Sequence, residues 1–129
     1  MQAFIEGVGS HLSANVSLYA PLSFKGLTKD RKSISITTMP TAGGDRYFDG
    51  TSTRPVQFQI MTKSSNQLEA MNTLETIANL LEGGFFDVKG YQFISCEVNN
   101  WPSWLEETET NEFIYTSAYR AEIKKRGAI

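Results

Sequence analysis

Chemistry at a serine needs a histidine base, and the only histidine is His11, directly after Ser10. A lone adjacent pair of this kind reads as a solvated helix face. Gly7-Val8-Gly9 lacks both the third glycine and the preceding strand of a dinucleotide fingerprint. Gly43-Gly44 is not followed by the Gly-Lys-Ser/Thr of a phosphate-binding loop. Four carboxylates, Glu106, Glu107, Glu109 and Glu112, lie close together. Paired carboxylates can cleave glycosides, but only in an enclosing cleft that splits their pKa values. Here Thr108, Thr110 and Asn111 interleave them, as in a solvated loop or a repulsive surface. The alternating oxygen ligands and glycine of a calcium loop are missing. Cys96 is the single cysteine, so the chain alone can form neither an internal disulfide nor a thiolate metal cluster. It sits in an apolar strand and reads as an inert core thiol. The expectation is no catalytic residue, no metal site and no cofactor.

What remains is aromatic. Trp101 and Trp104 flank Pro102-Ser103, and Arg46, Tyr47 and Phe48 stand together in another irregular stretch. Two readings are open for each group: packing down onto a sheet, or contact with a partner. Trp and Tyr dominate interface hot spots, which favours the second reading for Arg46-Tyr47-Phe48.

The elements that hold these residues are legible from periodicity. Val56, Phe58 and Ile60 alternate with Gln57, Gln59 and Met61, which puts one set on each face of a strand covered on one side. Pro55 suits the first position of that strand. Ser64 and Gln67 have capping-box spacing. Ala70, Leu74, Ile77 and Leu81 then recur at helical spacing, with Leu68, Met71 and Ala78 widening the stripe. Gly83 and Gly84 are expected to stop this helix, since glycine takes the left-handed cap conformation without a clash.

Residues 33–39 alternate as a second strand, and residues 40–54 read as a long loop or extended hairpin. Loops of this length inside compact domains are usually functional or disordered. Phe85, Phe86 and Val88 lead to a turn at Lys89-Gly90. Residues 91–98 form a strand with Ile94, Cys96 and Val98 on one face, and residues 99–111 form a second long connection. Residues 112–123 make the longest strand, with Phe113, Tyr115, Tyr119, Ala121 and Ile123 on one side. At the N-terminus, Phe4, Ile5, Val8 and Leu12 predict a short helix over residues 2–13, weakened by Gly7 and Gly9 by about 1 kcal/mol each. Residues 15–19 read as extended.

These elements make an α+β domain. A mostly antiparallel sheet of about four strands carries the long central helix and the weaker N-terminal helix on one face. A length of 129 residues fits a single domain. Residues 1–30 supply the N-terminal helix and extended segment, 31–123 the sheet and central helix, and 124–129 a basic tail. Hydrophobic residues are 40% and charged residues 20%, near globular averages. The net charge of −2 offers no basic field for nucleic acid. The first residues lack the basic and apolar regions of a secretory signal. Residues 7–24 carry no Lys, Arg, Asp or Glu but are too polar to cross a membrane. A soluble protein made in the cytoplasm, with no membrane partner, is expected.

Over roughly residues 30–123 the chain resembles the minor capsid and tail terminator proteins of long-tailed bacteriophages. The resemblance rests on the strand at residues 56–63, on the capped helix closed by Glu82-Gly83-Gly84, and on the strand, long loop, strand layout to either side. The N-terminal third departs most, because Gly7 and Gly9 weaken a helix that is firmer in proteins of this kind. The resemblance implies a structural virion protein without enzyme activity. It would form a homo-oligomeric ring, commonly of six copies, at the head-proximal end of the tail tube. Its partners would be its own copies, the tail tube protein and the head connector or stopper protein, with assembly in the host cytoplasm. DNA would pass through without specific binding. Arg46, Tyr47, Phe48, Trp101 and Trp104 are then candidates for subunit or tube contacts, and Glu106, Glu107, Glu109 and Glu112 for a negative lumen lining. Two other readings stay open: a module that binds a protein or peptide, and another head-completion or tail-tube protein.

Overall fold

Six strands form one sheet, in the order β1-β2-β3-β6-β5-β4. The computed structural model describes residues 2–39, 53–82, 87–88 and 91–125. The elements are α1 (Gln2–Asn15), β1 (Leu22–Ser23), β2 (Ser33–Met39), β3 (Thr53–Ser64), α2 (Gln67–Leu81), β4 (Asp87–Val88), β5 (Tyr91–Glu107) and β6 (Phe113–Lys125). The architecture is the expected α+β one, with two additions at the sheet edges. β1 is a two-residue strand parallel to β2, and β4 is a two-residue strand antiparallel to β5. Such short pairings leave no period for a sequence reading to catch. The predicted extended stretch at residues 15–19 is not a strand: Asn15 is the last residue of α1, and β1 begins at Leu22.

The centre of the sheet follows the alternation closely. β3 pairs with β2 on one side and with β6 on the other, both antiparallel. Val56, Phe58 and Ile60 are buried, and Phe58 stacks on Tyr119 with ring centroids 5.1 Å apart. Gln57, Gln59 and Met61 lie half-buried on the opposite face, which neither helix touches. Pro55 is the third residue of β3 rather than the first. It pairs only with Glu122 of β6, because the described pairing with β2 stops at Gln57.

Both helices pack on the face that carries Phe58 and Tyr119. α2 buries Ala70, Leu74, Ile77, Ala78 and Leu81 against β3, β5 and β6. Each large aliphatic residue in that stripe removes its side chain from water for roughly 1.5–3 kcal/mol. Leu68, expected to widen the stripe, is instead exposed in the first turn. α1 buries Ile5, Val8 and Leu12, and runs two residues past its predicted end. A Cβ on Gly9 would meet Phe24 at 3.0 Å and Leu22 at 3.3 Å. The residue that weakens α1 thus lets the chain after it pack close.

The start of α2 corrects the predicted cap. Asn66 is the N-cap, and its Oδ1 accepts from the Glu69 backbone N–H at 3.2 Å. Ser64 Oγ accepts from the Asn66 N–H at 3.0 Å and donates to Glu69 Oε1 at 2.8 Å. Ser64 ends β3 and orients the cap from outside the helix. Gln67, the expected partner, bonds Tyr115 Oη at 2.9 Å instead. The helix ends at Leu81 with Glu82 as an extended C-cap. The glycine stop at Gly83-Gly84, Phe85 and Phe86, and the Lys89-Gly90 turn lie outside the described residues.

Candidate functional site

Residues 99–111, predicted to be a loop, lie mainly in a strand. β5 continues through Trp101 and Trp104 to Glu107, pairs with β6 to the end, and leaves a five-residue turn at 108–112. β5 uses 17 residues against 13 on β6, and the difference of four is taken up by four register shifts. They fall between Phe93 and Ser95, Val98 and Asn100, Asn100 and Ser103, and Trp104 and Glu106. Each extra residue breaks the strand's period of two and adds local twist. A strand with this many breaks carries no alternation.

The consequence is an apolar cluster left in water. Trp101 is 52% exposed, Trp104 56% and Leu105 45%. Packing down onto the sheet, the alternative reading for the tryptophans, does not hide them. Leu105 is not singled out by the sequence reading, because the register shift between Trp104 and Glu106 removes the period that would mark it. A cleft of about 410 Å³ opens beside Trp101, lined also by Gln59, Asn100, Ser103 and Thr116. Gln59 Nε2 donates to Thr116 Oγ1 across it at 2.9 Å.

Among the described residues, the outer edge of β5 is covered only at its start. β4 pairs with Tyr91 and Gln92 alone, and Val98 N–H donates to Glu82 Oε2 at 2.7 Å. Beyond Val98 no described strand lies outside β5.

The four glutamates divide. Glu106 and Glu107 end β5, Glu109 lies in the turn, and all three are exposed. Glu112 is 4% exposed, unlike the other three candidates for the acidic lining. Its Oε1 accepts from Thr110 Oγ1 at 2.7 Å, and its backbone N–H donates to Thr108 Oγ1 at 3.0 Å. Oε2 lies 4.0 Å from Arg31 Nη2, which also donates to Thr110 O at 3.0 Å. The Thr110 hydroxyl, then Thr108 and the Arg31 and Lys63 charges, hold the Glu112 carboxyl below the usual range against the cost of burial. Thr108 N–H bonds Glu112 O at 2.8 Å, and Asn111 takes φ 64°. Asparagine tolerates that left-handed conformation better than most residues. Glu112 is therefore a fastener for the β5–β6 turn.

Arg46, Tyr47 and Phe48 lie outside the described residues. The predicted loop at 40–54 is shortened at its end, since Thr53 and Arg54 belong to β3.

The remaining chemistry is weak. Asn15 Nδ2 donates to His11 O at 2.8 Å, and partial burial lowers the imidazole pKa. Ser10 beside it is exposed. Cys96 is 3% exposed, and burial first, then Glu82 and Glu97, push its thiol up to about 12. That agrees with an inert core thiol. Among the described residues, no three His, Cys, Asp or Glu side chains gather as a metal site, and no helix is long and apolar enough to cross a membrane.

Known proteins can be set beside this geometry. The sequence model of the family described as "Bacteriophage tail terminator protein" matches residues 11–125. No curated protein matches the chain. Seven chains of solved structures do. One belongs to the structure titled "Virion of native gene transfer agent (GTA) particle", with a TM-score of 0.72 at 11% identity, covering 95% of this chain and 96% of that one. At that identity the likeness speaks for the fold. The family match spans most of the chain, so this protein, a structural component of the phage virion, belongs to the bacteriophage tail terminator family.

Proposed function

We propose that this protein closes the head-proximal end of the phage tail tube. Copies form a ring, six-fold as the resemblance implies, that stops tube polymerisation and joins the tube to the head connector. The observation that supports this most is the exposure of Trp101, Trp104 and Leu105 on the part of β5 that no described strand covers. About half of each side chain is exposed, on the order of 300 Å² of apolar surface together. Exposed apolar surface of this extent, with Glu106 and Glu107 beside it, is the kind that serves as a contact site on a soluble protein. A stable protein contact buries about 800 Å² per partner, so the cluster is a centre that other segments must enlarge. The segment holding Arg46, Tyr47 and Phe48 is the proposed second contributor. Replacing Tyr47 and Phe48 together by alanine should weaken ring formation and tube capping, and unchanged capping would remove that segment from the interface.

DNA passes through the ring without specific binding in this reading, in keeping with a net charge of −2. The direct experiment adds the purified protein to polymerising tail tube protein and images the tubes by electron microscopy. The expected result is a cap on one end of each tube and an arrest of growth. Tubes that grow to the same length without caps would refute the assignment.

A further inference from the structure

The two flanks of the sheet carry opposite charge. On the β5 side, Glu106, Glu107 and Glu109 are exposed next to Trp104 and Leu105. On the β1 side, Lys25 lies two residues past the end of β1 and Lys29 lies in the loop into β2, both exposed. None of these five charges has an ion-pair partner among the described residues. Strand order sets β1 and β5 on opposite flanks. Yet the basic loop and the acidic turn lie at the same end of the sheet. Thr28 O accepts from Lys63 Nζ at 2.6 Å where β3 meets the start of β6, and Arg31 reaches Thr110 at 3.0 Å. A lateral neighbour in the same orientation would thus bring acid to base at one level.

We propose that the β5 flank of one copy docks on the β1 flank of a second copy, with Trp101, Trp104 and Leu105 as apolar anchors and Glu106, Glu107 and Glu109 facing Lys25 and Lys29. This deepens the ring assignment and rests on it. Two different patches meet, so the contact is head-to-tail and can close a ring. It places the three exposed carboxylates in the subunit contact rather than in the bore. Side chains carry it more than backbone pairing does, because Pro102 lacks an N–H and the β5 register shifts spoil the even spacing of edge amides.

Charge exchange tests this. Sedimentation equilibrium at low salt should show wild-type self-association that weakens as salt is raised toward about 0.5 M. Glu106→Lys with Glu107→Lys should weaken it by about tenfold or more, and Lys25→Glu with Lys29→Glu likewise. A chain carrying all four changes, or an equimolar mixture of the two double variants, should regain association. The exposed positions leave folding intact, checked by matched unfolding curves. Variants that associate like wild type, a mixture that fails to recover, or a wild type that stays monomeric would overturn the contact. Tube capping by the wild type is scored separately. If capping persists while the exchange fails, the contact is wrong and the terminator assignment stands. If capping is absent, that assignment falls whatever the copies do.

Discussion

β3 and β5 both flank β6, and they treat it differently. β3 pairs with it over twelve consecutive residues, Thr53–Ser64, without a break. β5 needs four register shifts to follow it. The unbroken strand buries Val56, Phe58 and Ile60 beneath the helices, while the broken one leaves Trp101, Trp104 and Leu105 in water. A regular period lets a strand commit one whole face to the core. A bulge re-aims side chains at a cost in pairing. β3 with α2 is thus the stabilising half of the molecule, and the distal part of β5 is the half available to partners.

The comparison can be broken by mutation. Phe58→Ala removes a fully buried ring stacked on Tyr119 and should cost about 3–5 kcal/mol in denaturant unfolding. Leu74→Ala, at the buried stripe of α2, should cost about 2–5 kcal/mol. A loss under about 1 kcal/mol at either position would mean that β3 and α2 do not hold the fold. Asn66→Ala removes the α2 cap and should cost about 1 kcal/mol, with Asn66→Gly closer to neutral.

Acid should sharpen the contrast at the turn. Glu112 in the β5–β6 turn and Glu69 at the start of α2 both have carboxyls held below their ordinary value of 4.5, Glu112 first by the Thr110 hydroxyl and Glu69 first by Lys32. A carboxyl lowered on folding adds stability that is fully present above its unfolded pKa and is lost as pH falls through its folded pKa. Stability should therefore drop below about pH 4.5, and Glu112→Gln should flatten that decline while lowering stability at neutral pH. An unchanged pH profile in the variant would show that Glu112 fastens nothing. The smallest effect is chemical. Cys96, buried with its thiol pushed up to about 12, should react with maleimide at pH 7 far more slowly than a free thiol until the protein is unfolded.

Much of the stabilising half was legible. The alternation through Phe58, the stripe through Leu74 and the face through Tyr119 are each the signature of burial on one side, and each is buried apart from its margins at Leu68, Met71 and Phe113. The cap was displaced by two residues because Ser64 and Asn66 compete for the same role, and only the chain's exit angle from β3 decides which one sits at the helix start. Distal β5 was illegible as a strand because of its register shifts. Register shifts around Asn100 and Trp104 erase the period, so tryptophan, proline and glutamate there looked like a loop. For the two tryptophans the sequence leaves packing onto the sheet and partner contact both open, and their exposure argues against the first. The burial of Glu112 is hidden in a string of glutamates, because it depends on Thr110 beside it and on Arg31, which reaches Thr110 O from 79 positions away.

The most direct test of the division is the double variant Trp101→Ala with Trp104→Ala, assayed for tube capping beside its own unfolding curve. Both side chains are about half exposed, so stability should change by less than about 1 kcal/mol. Capped tube ends, counted by electron microscopy, should fall to the level seen without the protein. Full capping by a normally folded variant would contradict the account, and so would a loss of capping that merely tracks a loss of several kcal/mol in stability.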